Sequence, residues 1–378
     1  MSVLLQPHLG HASDAAMARS PWPKAAYVHI PFCRRRCFYC DFPIAVVGER
    51  KRGETSPSMQ TYVDAVQREI RQAAALARSA CPDAALPPLT SIFLGGGTPS
   101  LLSVAQLQAI VTTLTQSFGV VAGAEIAMEM DPGTFTAAHL QGYLAAGVNR
   151  VSLGVQAFQP ESLQACGRSH QVADIYATVE LLHQANVTNF SIDLIAGLPY
   201  QTLDDWDAGL TAAIALKPAH ISVYDLTVEP QTAFGKYYEA GVSPLPSDDD
   251  TVAMYRRTQV MLTAAGYDHY EISNYAKPGF ACRHNLVYWQ NLPYSGFGMG
   301  ATSYVGGQRW GRSRTRQGYY DWLETYLKTG QIDAPVTPLG EVWLDKLMVG
   351  LRLAAGITMA DLAQFPQAWR QRLAKVLV

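Results

Sequence analysis

Charge is scarce in this chain. Of 378 residues only 16% are Asp, Glu, Lys or Arg, and 31 acidic against 29 basic residues leave a formal net charge of -2. No field of one sign surrounds such a protein, which excludes nucleic acid as a partner drawn in by bulk electrostatics. Cysteine is sparse as well. Three of the six cysteines share one short segment, while Cys81, Cys166 and Cys282 are scattered, too few for a disulfide scaffold. A reducing, cytoplasmic location is the expectation. The opening "MSVLLQPHLGHASDAAMARS" has no basic segment followed by an apolar run, so no secretory signal is expected. The charge-free stretch from Ser100 to Ala124 is broken throughout by Gln, Thr and Ser, and reads as an amphipathic helix with flanking turns rather than a membrane span.

Apolar residues, at 48%, are abundant enough to fill a core. The length suits one large domain and a smaller one, since single cores stop growing at roughly 250 to 300 residues. Short β-branched runs recur: "AAYVHI", "TSIFLGGG", "AEIAMEM", "NRVSLGV", "NFSIDLIAG" and "AHISVYDL". Helical patterns follow the first five, over residues 62–80, 105–118, 137–146, 174–185 and 203–215. Strand and helix in alternation predict an α/β fold, a partial (β/α)6 barrel short of the usual eight units, with a small, mainly helical C-terminal domain. The expected divisions are a tail at 1–21, the barrel at 22–230, a barrel-covering segment at 231–320 and a helical accessory domain at 321–378. Cys33, Gly95 to Thr98, Glu129, Gln156, Asp193 and Tyr224 all fall at or just after the C-terminal ends of the six strands, the rim on which parallel barrels build their sites.

"HIPFCRRRCFYCDF" places Cys33, Cys37 and Cys40 in the pattern CxxxCxxC. Three thiolates on one loop can converge on a soft metal centre. Zinc takes four ligands, and no second pair of cysteines exists, although His29 could complete a zinc knuckle. An iron-sulfur cluster with three thiolates would leave one iron open to an exchangeable ligand. In "GGGTPS", Gly95 to Ser100, glycines allow close approach of backbone groups to a ligand. "GFGMGA" loosely matches a dinucleotide fingerprint but follows "QNLPYS" rather than a strand run, and is read as structural.

The cysteine pattern, with Tyr39 just before its last member, resembles the radical S-adenosylmethionine (SAM) superfamily. By that resemblance Cys33, Cys37 and Cys40 hold a [4Fe-4S] cluster and SAM chelates the open iron. "YVHIPFCRRRCFYCDF", "FLGGGTPS", "GVQAFQPESLQACGRSH", "SIDLIAGLPYQT", "HISVYDLTVEPQT", "YEISNYAKPG" and "HNLVYW" together resemble the coproporphyrinogen III oxidase-like branch, and within it the HemW-type heme chaperones. The likeness runs from about Tyr27 to Arg352. It implies a SAM site of Tyr27, Tyr39, Gly96, Gly97, Thr98, Glu129, Gln156, Arg168 and Asp193. Arg168 suits the SAM carboxylate as a fork, and Asp193 suits the ribose hydroxyls or amine as an acceptor.

One departure separates two functions. The oxygen-independent coproporphyrinogen III oxidases carry a further cysteine two residues after the third, where this chain has Phe42. The expected function is therefore binding heme and passing it to acceptor hemoproteins, with porphyrinogen oxidation as the alternative. A peripheral membrane association and a homodimer are further expectations. "CRHNLVYW" offers His284 among aromatic residues as an axial ligand for an iron porphyrin, with Cys282 as the weaker choice. Arg34 to Arg36 and "RWGRSRTR" are read mainly as solvated surface that could hold propionates or an acidic partner.

Overall fold

The computed structural model describes residues 22–49, 51–80, 82, 85–333 and 336–374. The N-terminal tail expected at 1–21 and Cys81 lie outside them. Six strands form the parallel core: β1 (Ala25–Ile30), β2 (Leu89–Gly96), β3 (Val120–Met130), β4 (Arg150–Gln156), β5 (Phe190–Ala196) and β6 (His220–Asp225). Each pairs in parallel with the next. Their apolar side chains are buried almost throughout, as a parallel sheet covered by helices requires.

The covering helices are α1 (Pro57–Ala80), α2 (Val104–Phe118), α3 (Ala137–Ala145), the short α4 (Pro160–Ala165), α5 (Val172–Gln184) and α6 (Leu203–Ala215). Their starts are written in the sequence. Ser103 caps α2 by accepting from the Gln106 N–H, and Thr202 caps α6 by accepting from the Asp205 N–H. These are the helices and strands of the expected partial (β/α)6 barrel.

The sheet continues at both edges with chain from beyond residue 230. After α7 (Ala233–Tyr237) and α8 (Asp248–Ala264), a hairpin of β7 (Asp268–Glu271) and β8 (Asn274–Ala276) adds antiparallel to β6. Beyond α9 (Arg283–Trp289), β9 (Ser295–Phe297) adds parallel to β1. The order is β9-β1-β2-β3-β4-β5-β6-β8-β7. The segment "GFGMGA" thus does begin in a strand, but its Gly298 N–H is spent on the buried Glu69 carboxylate, 2.8 Å away.

A ribbon of β10 (Thr302–Val305) and β11 (Gln308–Gly311) leads to α10 (Arg316–Thr329). Glu69 of α1 holds this region down. It pairs with Arg312 at 2.8 Å and accepts from the Tyr319 hydroxyl at 2.7 Å, with both charges buried. Three terminal helices follow, α11 (Leu339–Gly350), α12 (Met359–Ala363) and α13 (Gln367–Ala374). They are tied to β7 through Ile272 N–H to Arg352 O, 3.1 Å, and Ala354 N–H to Tyr270 O, 3.0 Å. The charged segment between Val46 and α1 is partly anchored. Arg52 donates to the carbonyls of Thr134 and Ser100, and Gly53 is buried.

Candidate functional site

The C-terminal ends of the six core strands surround a cavity of about 560 Å³. The cysteine loop closes one side. Its base is fixed by a two-residue parallel pairing of Phe32–Cys33 with Ala45–Val46, and it turns where the Cys40 N–H meets the Cys37 carbonyl at 3.2 Å. All three thiols line the cavity and none is in a disulfide. Burial pushes the Cys33 thiol up to about 12 and raises Cys40 too; coordination to a cation would reverse this, since it deprotonates a thiol.

Eight of the nine residues expected around SAM line the same cavity: Tyr39, Gly96, Gly97, Thr98, Glu129, Gln156, Arg168 and Asp193. Tyr27 is not among the lining residues. Its hydroxyl is 3.0 Å from His29 Nδ1, and its ring stacks on Phe93 with centroids 6.2 Å apart. His29 in turn holds the Pro43 carbonyl at 3.0 Å, so the pair braces the start of the cysteine loop. Gly96 is demanded by this packing. It has φ +116°, and a Cβ there would sit 2.4 Å from the His29 ring. Its N–H is thereby free to donate to Glu129 Oε2 at 2.8 Å.

Sequence reasoning missed Asp131, the organiser of the cavity floor. Asp131 pairs with Arg168 at 2.5 Å and accepts from the Thr98 hydroxyl at 2.9 Å. Arg168 also donates to Gly154 O at 2.8 Å and approaches Cys37 Sγ at 3.5 Å and the Tyr39 hydroxyl at 3.4 Å. Burial works to lower the Arg168 pKa, but Asp131, Tyr39 and Cys37 outweigh it and hold the guanidinium charged. The available signal was position: "MEMD" puts Asp131 two residues beyond Glu129, on the same side of an extended chain.

Two further carboxyls face the cavity under opposing influences. Burial pushes Glu129 up to about 8 against the pull of the Gly96 N–H, with Asp193 and Asp131 adding to the rise. Asp193 is raised by burial and partly restored by serine hydroxyls. Ser152 donates to it at 2.8 Å and Ser191 at 3.0 Å; Ser191 also meets His220 Nδ1 at 2.8 Å, whose Nε2 lies 2.8 Å from the Tyr270 hydroxyl.

His284 does not reach the cavity. It is fully buried at the N-terminus of α9, with Nδ1 3.0 Å from the Ser91 hydroxyl and Nε2 2.9 Å from the Tyr288 hydroxyl. Burial lowers its pKa to about 3. Both ring nitrogens are therefore engaged, and as folded it offers none to an iron atom. Cys282 is equally enclosed, its sulfur 3.5 Å from Glu125.

Comparison with known proteins agrees with this geometry. The radical SAM superfamily pattern matches residues 27–210. The heme chaperone HemW of Synechocystis sp. is 49% identical over 358 residues, which is 94% of this chain and 84% of that protein. The chain belongs to the HemW family. HemW of Bacillus subtilis is 34% identical, over 90% of this chain and 86% of its own length. Among solved structures, the Escherichia coli coproporphyrinogen III oxidase HemN, a radical SAM enzyme, superposes with a TM-score of 0.68 and 27% identity, covering 82% of this chain and 71% of that one.

The residues of this HemW-family cavity suit the cofactors that the superfamily implies. Among the described residues no three His, Cys, Asp or Glu side chains are grouped closely enough for a single metal ion. The thiols instead line one wall, an arrangement that suits a group with a separate iron for each. Arg168 Nε is buried without a partner, an unspent donor beside the thiols that matches an anionic ligand group. The relatives lend no support to a membrane association or a homodimer, and among the described residues no helix is long and apolar enough to cross a membrane.

Proposed function

We propose that this chain is a cytoplasmic heme chaperone, binding heme and passing it to acceptor hemoproteins, with a [4Fe-4S] cluster held by Cys33, Cys37 and Cys40 and SAM seated in the rim cavity. The observation that carries this reading is likeness to HemW heme chaperones over nine-tenths of the chain. A cluster with three protein thiolates supplies an open iron to which the amine and carboxylate of SAM can bind.

The chain's own residues do the rest. Arg168, oriented by Asp131 and Gly154, lines the cavity and offers its guanidinium to a carboxylate. Gly96 and Gly97 let backbone N–H and C=O groups come close to a ligand amine. Asp193, steadied by Ser152 and Ser191, and Glu129 on the Gly96 N–H offer acceptors to hydroxyl or amine groups.

The rival reading, porphyrinogen oxidation, draws on the structural likeness to HemN. Phe42 counts against it, because it stands where those oxidases resemble one another in having a further cysteine. The deciding experiment is anaerobic reconstitution followed by two assays on the same sample. Hemin-loaded protein mixed with an apo-hemoprotein should show the acceptor's Soret band growing in. Turnover of coproporphyrinogen III to protoporphyrinogen with release of 5′-deoxyadenosine would instead establish the oxidase.

A further inference from the structure

A heme chaperone needs a porphyrin seat, and enclosed His284 does not provide one. The mouth of the cavity has the matching chemistry. Phe42 lines it and is 60% exposed, with Ile44 beside it on the same loop. This exposure is built rather than incidental. Arg36 donates to the carbonyls of Cys40 and Phe42 at 3.1 and 3.2 Å, and Arg314 grips the Asp41 carbonyl and carboxylate, fixing the backbone on both sides of the ring. A large aromatic on a fixed backbone, exposed beside Ile44 at the edge of a cavity, offers an apolar contact surface.

Cations stand on the same side. Arg34 lines the mouth, makes no ion pair with any described residue and has its Nε buried without a partner. Arg314 lines it too, and its partner Asp41 is only one residue from Phe42. Of the carboxylates at the mouth, Asp41 is taken up by Arg314, while Asp225 and Glu229 come from the end of β6 and the segment after it. An apolar plate bordered on one side by arginines complements a flat apolar ring that carries its anionic groups on one edge.

We propose that heme docks at this mouth, its ring against Phe42 and a propionate on Arg34, so that porphyrin recognition rests on ring contact and charge rather than on a nitrogen of His284. This rests on the reading of the chain as a heme carrier.

The test is a Soret titration of reconstituted full-length protein with hemin, with iron-free protoporphyrin IX and with its dimethyl ester. The variants are Phe42→Ser, Arg34→Gln, Arg34→Lys and His284→Ala, each checked for an intact cluster chromophore and melting temperature. Expected results are a loss of about tenfold in affinity for both hemin and iron-free porphyrin in Phe42→Ser and in Arg34→Gln. Arg34→Lys should recover most of the loss, and the ester should bind wild type and Arg34→Gln alike. Hemin affinity unchanged in Phe42→Ser and Arg34→Gln, or abolished in His284→Ala while iron-free porphyrin binding and the cluster spectrum stay intact, overturns the docking site while leaving heme carriage standing. Wild-type protein that binds no hemin at all removes both.

Discussion

Asp131→Asn tests the floor of the cavity, because this one carboxylate holds Arg168 and Thr98 together. The substitution keeps the shape and removes the charge. It leaves the Arg168 side chain, 7% exposed, with Gly154 O at 2.8 Å as its best remaining acceptor. Stranding a buried charge costs about 3–5 kcal/mol. The Gly154 bond and water entering an open cavity trim this to about 2–3 kcal/mol. Melting of the reduced protein should then fall by roughly 2–4 °C. If Arg168 is also the anchor for SAM, affinity should drop by about 30-fold or more. A double-mutant cycle with Arg168→Gln isolates the pair. Removing both charges should be less damaging than the sum of the single changes, with a coupling of at least about 1.5 kcal/mol. A coupling under about 0.5 kcal/mol would refute the idea that Asp131 orients Arg168.

Three other perturbations probe different parts of the same framework. Glu69→Ala strands Arg312 and leaves the Gly298 N–H and Tyr319 hydroxyl without their acceptor; a loss of about 4–6 kcal/mol is expected in denaturant melts, with α10 the first region to exchange amide hydrogens. Gly96→Ala forces a Cβ onto the His29 ring at φ +116°, whereas Gly48→Ala at φ +88° meets nothing within 4 Å. The former should destabilise by about 3 kcal/mol or more and the latter by only about 1; equal losses would argue against the His29 contact. Glu129 provides a pH test. Its pKa rises from 4.5 unfolded to about 8 folded, so between these values the native state holds a proton that the unfolded chain has shed. Stability contributed by this group therefore falls as pH rises through that window. Glu129→Gln should melt progressively higher relative to wild type from pH 5.5 to pH 8.5, and a constant gap would show that Glu129 does not titrate there.

How far the fold could be read beforehand depended on where the controlling contacts lie along the chain. The six core strands were legible because buried parallel strands need continuous apolar, β-branched runs, and the helices because their caps and periodicities are local. β9 was not. At three residues including Gly296, it has no periodicity to detect and is specified by the gap beside β1. In the site, strand-end placement revealed Glu129 and Asp193, since topology alone brings such residues to the rim. Asp131 looked like one more polar turn residue until Arg168, 37 positions away, was beside it. His284 misled for the same reason. Its sequence neighbours are aromatic, but the Ser91 hydroxyl that occupies Nδ1 comes from 193 positions away.

That enclosure gives the "HNLVYW" segment a structural task. Glu125 of β3 accepts from the backbone N–H groups of Arg283 and His284 at 3.1 and 3.0 Å, placing a carboxylate at the start of α9 where two helical donors would otherwise be unpaired. His284 then packs on Phe93 of β2, ring centroids 5.3 Å apart, and Phe93 stacks on Tyr27 of β1. Tyr27 holds His29, and His29 lies against Gly96 at the rim. A continuous column of contacts thus runs from α9 through the first two strands to the glycine turn and the start of the cysteine loop. Changes at His284 should reach the cavity through this column, by shifting Gly96 and the cysteine loop. A loss of heme binding in a His284 variant would consequently identify an axial ligand only if iron-free porphyrin binding and the cluster spectrum stayed intact.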